Sequence, residues 1–291
     1  MNIWKKLRRS DLSTAEIFLK KREEYCVSAI SRFNSGIAKH VWAAYESDSG
    51  NSSVSALLLY GKRLLYPVFN FSSEKTAEFK ESGLPLPLFF PHTLKSDPLH
   101  AIQGLAGDLD FLENALAKKG LFPASVYDYD LLNLDYSETN NVLVSLNFPL
   151  GLLIRKAETK DIEALFPLQA AYEKEEVLPD GVQFNPAACY RTVEAMVAEK
   201  TILIAVLDGN FAGKININAQ SYNRFQIGGV YVLPEYRGRS IARAMTSALI
   251  REFAPQKNIF SLFVKKKNIP ARRVYYSLGF NKISDYRISY Y

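Results

Sequence analysis

The stretch Gly228-Gly229-Val230-Tyr231-Val232-Leu233-Pro234-Glu235-Tyr236-Arg237-Gly238-Arg239-Ser240-Ile241-Ala242-Arg243 decides how this chain is read. A β-rich run ends at Pro234, a glycine turn follows, and an amphipathic helix begins. Ile241, Ala244, Met245, Ala248 and Leu249 recur at i, i+3, i+4, i+7 and i+8, one face of a helix. The free N–H groups at a helix start, together with the helix dipole, attract an anion. Arg237, Arg239 and Arg243 add positive charge there, and a pyrophosphate suits the place. Taken alone, the stretch also reads as an ordinary strand, turn and helix with exposed arginines. It is neither a Walker loop nor a dinucleotide fingerprint, because GxxxxGK[ST] and GxGxxG are both absent.

Working outward, a second pattern follows. Arg237-x-x-Ser240-x-Ala242 resembles the R/Q-x-x-G-x-G/A turn of the GNAT superfamily, the acyl-CoA-dependent N-acyltransferases. Asn268-Ile269-Pro270-Ala271-Arg272-Arg273-Val274-Tyr275-Tyr276-Ser277-Leu278-Gly279-Phe280 resembles that family's N-x-x-A-x-x-hydrophobic-Y-x-x-x-G-F. The resemblance covers about 152–291. More closely, the chain is similar to bacterial two-part GNAT proteins whose N-terminal half is a degenerate copy of the fold. The implied fold class is α/β with a mixed α+β sheet: a degenerate GNAT-like domain over 1–149, then a GNAT acetyltransferase domain over 150–291. Ser240 departs from the family, which usually has glycine there. A glycine lets the backbone approach the pyrophosphate closely, whereas serine adds a side chain that can itself donate to phosphate.

The resemblance also assigns residues. It implies that the strand Val230, Tyr231, Val232 lies along the pantetheine arm, pairing through its backbone at Val230 and Val232. An N–H of this strand would polarise the thioester carbonyl. The turn of Arg237, Gly238, Arg239, Ser240, Ile241 and Ala242 would hold the pyrophosphate, and Asn268 would touch the coenzyme. Tyr275 matches the tyrosine that protonates the leaving thiolate. A phenol with a reference pKa of about 10 suits a thiol of about 8.5. Tyr275 also lies on an apolar helix face with Ala271, Val274 and Leu278, where a core role is the plain alternative. Tyr276 points elsewhere. Glu175 and Glu176, after the first helix of this half, stand where relatives carry an acidic pair. They are candidates to take the amine's proton, or a solvated cluster with Glu173 and Lys174. The implied activity is direct acetyl transfer from acetyl-CoA, as co-substrate, to a primary amine on a small molecule or peptide. A coenzyme-A-binding sensor without turnover is the alternative.

The rest of the chain sets bounds. Residues 1–150 hold 16 basic and 17 acidic side chains, residues 151–291 hold 20 and 13, and the whole has a net charge of +6. The excess positive charge therefore sits in the second half, where an anionic partner belongs. Ten of those basic residues fall between Arg237 and Arg273, against one acid, Glu252. Lys265-Lys266-Lys267 with Arg272 and Arg273 reads as coenzyme attraction, nucleic-acid contact or a solvated face. No helix-turn-helix or RNP-type pattern accompanies it, which makes nucleic acid an unlikely partner.

Two cysteines, Cys26 and Cys189, and three histidines, all in the first half, give no metal spacing and no disulfide framework. Both cysteines read as small buried residues, and Cys189 has no histidine in its half to serve as a base. No apolar run approaches the roughly 18–20 residues of a membrane span, and the basic N-terminus leads into Asp11, Ser13 and Glu16 rather than an apolar stretch. A cytoplasmic protein is the simplest expectation.

The first half reads as a helix over 14–33, strands near 40–45, 54–60, 63–69 and 99–103, a helix at 109–119 capped by Asp108, and strands near 125–134 and 142–146. Asn70–Glu74, after the third strand, offers no arginine or glycine for a phosphate turn. The second half repeats the order as 152–155, helices to Lys174 and over 185–199, the hairpin 202–218 about Asp208-Gly209-Asn210, and onward to a closing strand at 282–290.

Overall fold

The computed structural model describes residues 4–48, 51–87, 93–94, 97–138 and 148–291; His92 and the strand expected at 142–146 lie outside them. The element order repeats. The first run is β1 (Trp4–Lys6), α1 (Leu12–Lys21), α2 (Val27–Asn34), β2 (His40–Asp48), β3 (Asn51–Gly61), β4 (Leu64–Phe69), α3 (Ser73–Ser82), β5 (Ala101–Leu105), α4 (Ala106–Ala117) and β6 (Ser125–Asp135). The second is β7 (Leu152–Lys156), α5 (Ile162–Tyr172), α6 (Pro186–Ala198), β8 (Ile202–Leu207), β9 (Asn210–Gln220), β10 (Arg224–Val232), α7 (Ile241–Phe253), β11 (Ile259–Lys265), α8 (Ile269–Ser277) and β12 (Asn281–Tyr290). One helix was expected at 14–33; the apolar periodicity instead breaks at a short 3₁₀ turn, Glu23–Tyr25.

The chain divides into two compact units. One comprises Met1–Leu131 with Ile283–Tyr291, the other Leu132–Lys282. The final strand completes the first unit, pairing antiparallel with β5 from Tyr286↔Leu105 to Tyr290↔Ala101. The end of β6 enters the second unit, where Leu132 and Leu134 join its core. Each repeat thus contributes its last strand, wholly or in part, to the other unit.

In the second unit the strands run β6-β11-β10-β9-β8-β7. On one face, α7 and α8 bury Ile241, Met245, Leu249, Ile250, Phe253, Tyr275 and Leu278 against Ile215, Phe225 and Phe260. Burying a side chain such as Leu249 or Phe253 contributes about 1.5–3 kcal/mol. The other face is covered by Leu165 and Leu168 of α5 and Val193 and Val197 of α6, which pack on Ile202, Ile204 and Tyr231. The fold is therefore helix, mixed sheet, helix, as α/β patterning implies.

In the first unit the order is β1-β2-β3-β4-β5-β12. Its copy of the phosphate region is closed by its own residues. The parallel strands β4 and β5 pair only at Leu64↔Ala101 and Leu65↔Ile102. Beyond that point β4 carries Pro67, which has no N–H to offer. Asp108, expected as a helix cap, instead accepts the Phe69 N–H through Oδ2 at 3.0 Å, and burial pushes its carboxyl up to about 7. The Ser72 hydroxyl caps α3 by accepting from the Lys75 N–H, with Glu74 in the first turn. A donor, an opening and a positive helix end are each spent internally.

Candidate active site

The matching region of the second unit is left open. The parallel strands β10 and β11 pair only over Arg224–Gln226 with Ile259–Ser261. On its other edge β10 bulges. Gly228 lies opposite Asn216 and Tyr231 opposite Lys214, so Gly229 and Val230 stand against the single residue Ile215. Gly229 has φ +58°, and a Cβ there would lie 1.8 Å from Asn216 Oδ1 and 2.5 Å from Lys214 Nζ. Glycine is required by conformation and by space. A strand separated from one neighbour and bulged on the other has backbone groups available to an extended ligand.

Side chains alternate along β10. Val230 and Val232 pack toward the α7 face, and Tyr231 toward α5. The Tyr231 ring meets the Tyr172 ring edge-on at 6.3 Å, and its hydroxyl donates to Glu175 Oε2 at 3.0 Å.

After β10 the chain turns through Pro234–Tyr236 into the start of α7. Gly238 takes φ +78°, and Ser240 sits in the left-handed region at φ +60°, ψ +12°. This is why glycine suits the position: a non-glycine residue there is strained by about 1–2 kcal/mol. The Ser240 side chain makes no cap to the first turn of α7, unlike Ser72 on α3. The N–H groups of the first turn, at the positive end of the dipole, therefore receive no acceptor from the Ser240 side chain. Arg239 and Arg243 flank them.

Arg237 is committed elsewhere. Its Nε donates to the Val232 carbonyl at 2.9 Å, and its NH2 group reaches both Glu175 oxygens at 2.9 and 2.8 Å. It fastens the turn to β10 and to the segment after α5. That hydrogen bond, with help from the Tyr231 hydroxyl, holds the Glu175 carboxyl below the usual carboxylate range. Glu176 is ion-paired with Lys265 at 3.1 Å and accepts from Asn268 Nδ2 at 3.4 Å. Asn268 also caps α8, its Oδ1 accepting the Ala271 N–H at 3.1 Å.

Tyr275 is buried, its ring meeting Phe280 edge-on at 5.9 Å, whereas neighbouring Tyr276 is exposed. Burial pushes the Tyr275 phenol well above its ordinary value, and its neighbours Tyr172 and Glu176 act in the same direction. It stays protonated through the physiological range, which suits a donor.

Two residues of this region are not singled out by sequence reasoning, Tyr172 and Lys214. Tyr172 ends α5 beside Tyr231, where only its place at the end of an apolar helical pattern hints at it. Lys214, on β9, is fully buried, with Nζ 3.3 Å from Asn216 Oδ1 and 4.3 Å from the centre of the Tyr172 ring.

Comparison with known proteins agrees with this layout. Residues 165–280 match the model of the acetyltransferase (GNAT) family. A Drosophila protein of known structure aligns with a TM-score of 0.64 and 13% identity over 100% of this chain and 99% of its own. A tandem GNAT protein from the clavulanic acid biosynthesis pathway aligns at 0.57 and 14%, over 98% of this chain and 97% of its own. A GNAT-family acetyltransferase from Colwellia psychrerythraea aligns at 0.57 and 12%, over 99% of each. No curated protein matches the sequence. These identities speak for the fold. Among the described residues no helix is long and apolar enough to cross a membrane. Residues 165–280 thus match the acetyltransferase (GNAT) family, in a chain whose fold is that of the two-part GNAT proteins.

Proposed function

We propose that the chain is an N-acetyltransferase that moves the acetyl group of acetyl-CoA to a primary amine by direct attack. The observation that carries this reading is the contrast between the two units. In the first unit β4 pairs with β3 without a bulge, Ser72 caps α3 and Asp108 plugs the opening beside Phe69, whereas the second unit has a bulged β10, an α7 whose N-cap side chain makes no cap and strands that part.

In this reading the backbone of Val230, Tyr231 and Val232 pairs with the pantetheine arm, and a bulge N–H polarises the thioester carbonyl. The turn from Gly238 through Ala242 holds the pyrophosphate, with Arg239 and Arg243 beside it and Arg237 bracing the turn. Asn268 lies at the edge of the same opening. Tyr275 donates a proton to the departing thiolate. Proximity of amine and thioester supplies much of the rate, and no acyl-enzyme is needed. Glu175 and Glu176, as candidate proton acceptors, are held in ion pairs with Arg237 and Lys265. Acceptors of the small-molecule or peptide amine class fit the family, and the uneven charge of the chain fits an anionic coenzyme.

Thermal denaturation with added acetyl-CoA tests binding: a ligand at 100 times its Kd stabilises by about 2.7 kcal/mol. Thiol release measured over a panel of primary amines tests turnover. Binding without thiol release would make the protein a coenzyme-A sensor, and no stabilisation at millimolar acetyl-CoA would refute both.

A further inference from the structure

Lys214 is a buried titratable residue of this region with no part in the proposed chemistry. It lies on β9 with no exposed surface, and among the described residues its Nζ makes one hydrogen bond, to Asn216 Oδ1. Among the described residues no carboxylate lies within 4.0 Å of it. The groups facing it are Tyr172 and Glu173 at the end of α5, Cys189 of α6, Asn216 of β9 and the Gly229 backbone of β10. Cys189 is a neutral thiol, pushed up to about 12 by burial. Glu173 accepts from Gln169 Nε2 at 2.9 Å. A lysine taken out of water without a contacting counter-ion favours its uncharged form. Burial pulls Lys214 down to about 7, against the opposing pull of Glu173.

Its position matters as much. Nζ occupies the space beside the Gly229 Cα, so it sits against the bulge from the face that carries α5 and α6. An acyl group held on the bulge backbone, and an amine approaching it from that face, bring the reacting nitrogen to the same side of Gly229 as Nζ.

We propose that Lys214 is the proton acceptor for the attacking amine, an inference that rests on the acetyltransferase reading. The amine nitrogen bonds to the thioester carbonyl carbon, and the carbonyl π pair moves to oxygen. The Nζ lone pair takes a proton from the nitrogen, giving the Lys214 ammonium. As the oxygen pair returns, the C–S bond breaks and the thiolate takes the Tyr275 proton. The ammonium then returns one proton to the tyrosinate, and the net products are amide and free thiol. The site needs no carboxylate base, which leaves Glu175 and Glu176 free for their ion pairs.

The test uses Lys214→Met and Lys214→Arg in the full chain, each checked for folding and for acetyl-CoA binding by thermal shift. Thiol release is followed from pH 5.5 to 9 with an amine that the wild type accepts. The wild type should lose kcat/KM as pH falls through neutrality. Both variants should lose roughly 10²–10⁴-fold in kcat while coenzyme affinity holds within about twofold, and the residual rate should lack the acid limb. A Met variant within about threefold of the wild-type rate, with the limb intact, overturns the proposal. A purely packing role predicts that outcome, since Met fills the space without charge.

A second measurement needs neither activity nor a variant. In wild type labelled with ¹³C at lysine Cε, one resonance should titrate near neutral pH. If every lysine titrates above about 9, Lys214 is an ordinary cation and the proposal falls. Failure of the acetyltransferase reading would appear separately, as absence of thiol release from the wild type.

Discussion

Replacing Lys214 by Met should stabilise the second unit, by an amount that fades as pH rises. Lys214 shifts from an ordinary 10.5 to about 7 on folding. At about 1.36 kcal/mol for each pKa unit, holding this lysine in place costs on the order of 5 kcal/mol at neutral pH and below. The sign follows from proton binding. Between pH 7 and 10.5 the unfolded lysine is protonated and the folded one is not, so raising the pH through this window favours the folded chain. Below about pH 7 the penalty is fully present, and above 10.5 it is gone. Met removes the penalty but also the Asn216 hydrogen bond, leaving a buried Asn216 oxygen short of a donor at about 1–3 kcal/mol. The net gain near pH 7 should be about 2–4 kcal/mol, reversing sign by pH 10.5. Urea unfolding of both proteins at pH 6, 8 and 10 measures the difference, in which all other titrating groups cancel. A difference that stays constant across this range would show that Lys214 titrates alike folded and unfolded, and the burial argument would be wrong.

Four further outcomes are expected. Tyr275→Phe should leave thermal stability within about 1 kcal/mol and slow thiol release by roughly 10²–10⁴-fold; an unchanged rate removes the tyrosine from the proton path. Ser240→Gly should relieve the left-handed strain and raise stability by about 1 kcal/mol in thermal denaturation, with coenzyme binding equal or tighter. Gly229→Ala forces a Cβ against Asn216 and Lys214 at positive φ, and should destabilise by more than about 2 kcal/mol and abolish turnover, read from melting and thiol release. Calorimetric titration with acetyl-CoA should show one site per chain, because Pro67, Asp108 and the Ser72 cap close the first unit; two equivalent sites would contradict that account.

The parts legible in the sequence are those where one segment carries its own meaning. The apolar spacing from Ile241 to Leu249 and the turn before it place α7, and the run from Asn268 to Phe280 places α8 with Tyr275 on its buried side. The pattern at Lys214-Ile215-Asn216-Ile217 shows why other parts were not legible. Its alternation announces a strand with a polar and an apolar face, and polar side chains ordinarily face water. Here α5 and α6 cover the polar face, so Lys214 and Asn216 are buried with the isoleucines on the opposite side. Alternation separates two faces but does not say which of them another element will cover. Ser240 hid its conformation for a related reason: a serine gives no sign of positive φ, whereas the family's glycine would. Asp108 has the composition of a helix cap, yet its oxygen goes to Phe69, a partner 39 residues away that local spacing does not reveal. The exchange of final strands is invisible for the same reason, since β12 reads as a strand whichever unit it completes.

That exchange sets the order in which the protein can be made. A nascent chain emerging from the ribosome presents β5 long before Ile283–Tyr291 exists, so the first unit must wait with an unpaired edge until β12 has been made. The second unit, by contrast, has all its strands once Lys282 has emerged. Vectorial synthesis therefore favours the second unit folding first and the older residues of the chain closing last. A ribosome that stopped before Ile283 would release a chain with a complete second unit and an open, aggregation-prone sheet edge in the first.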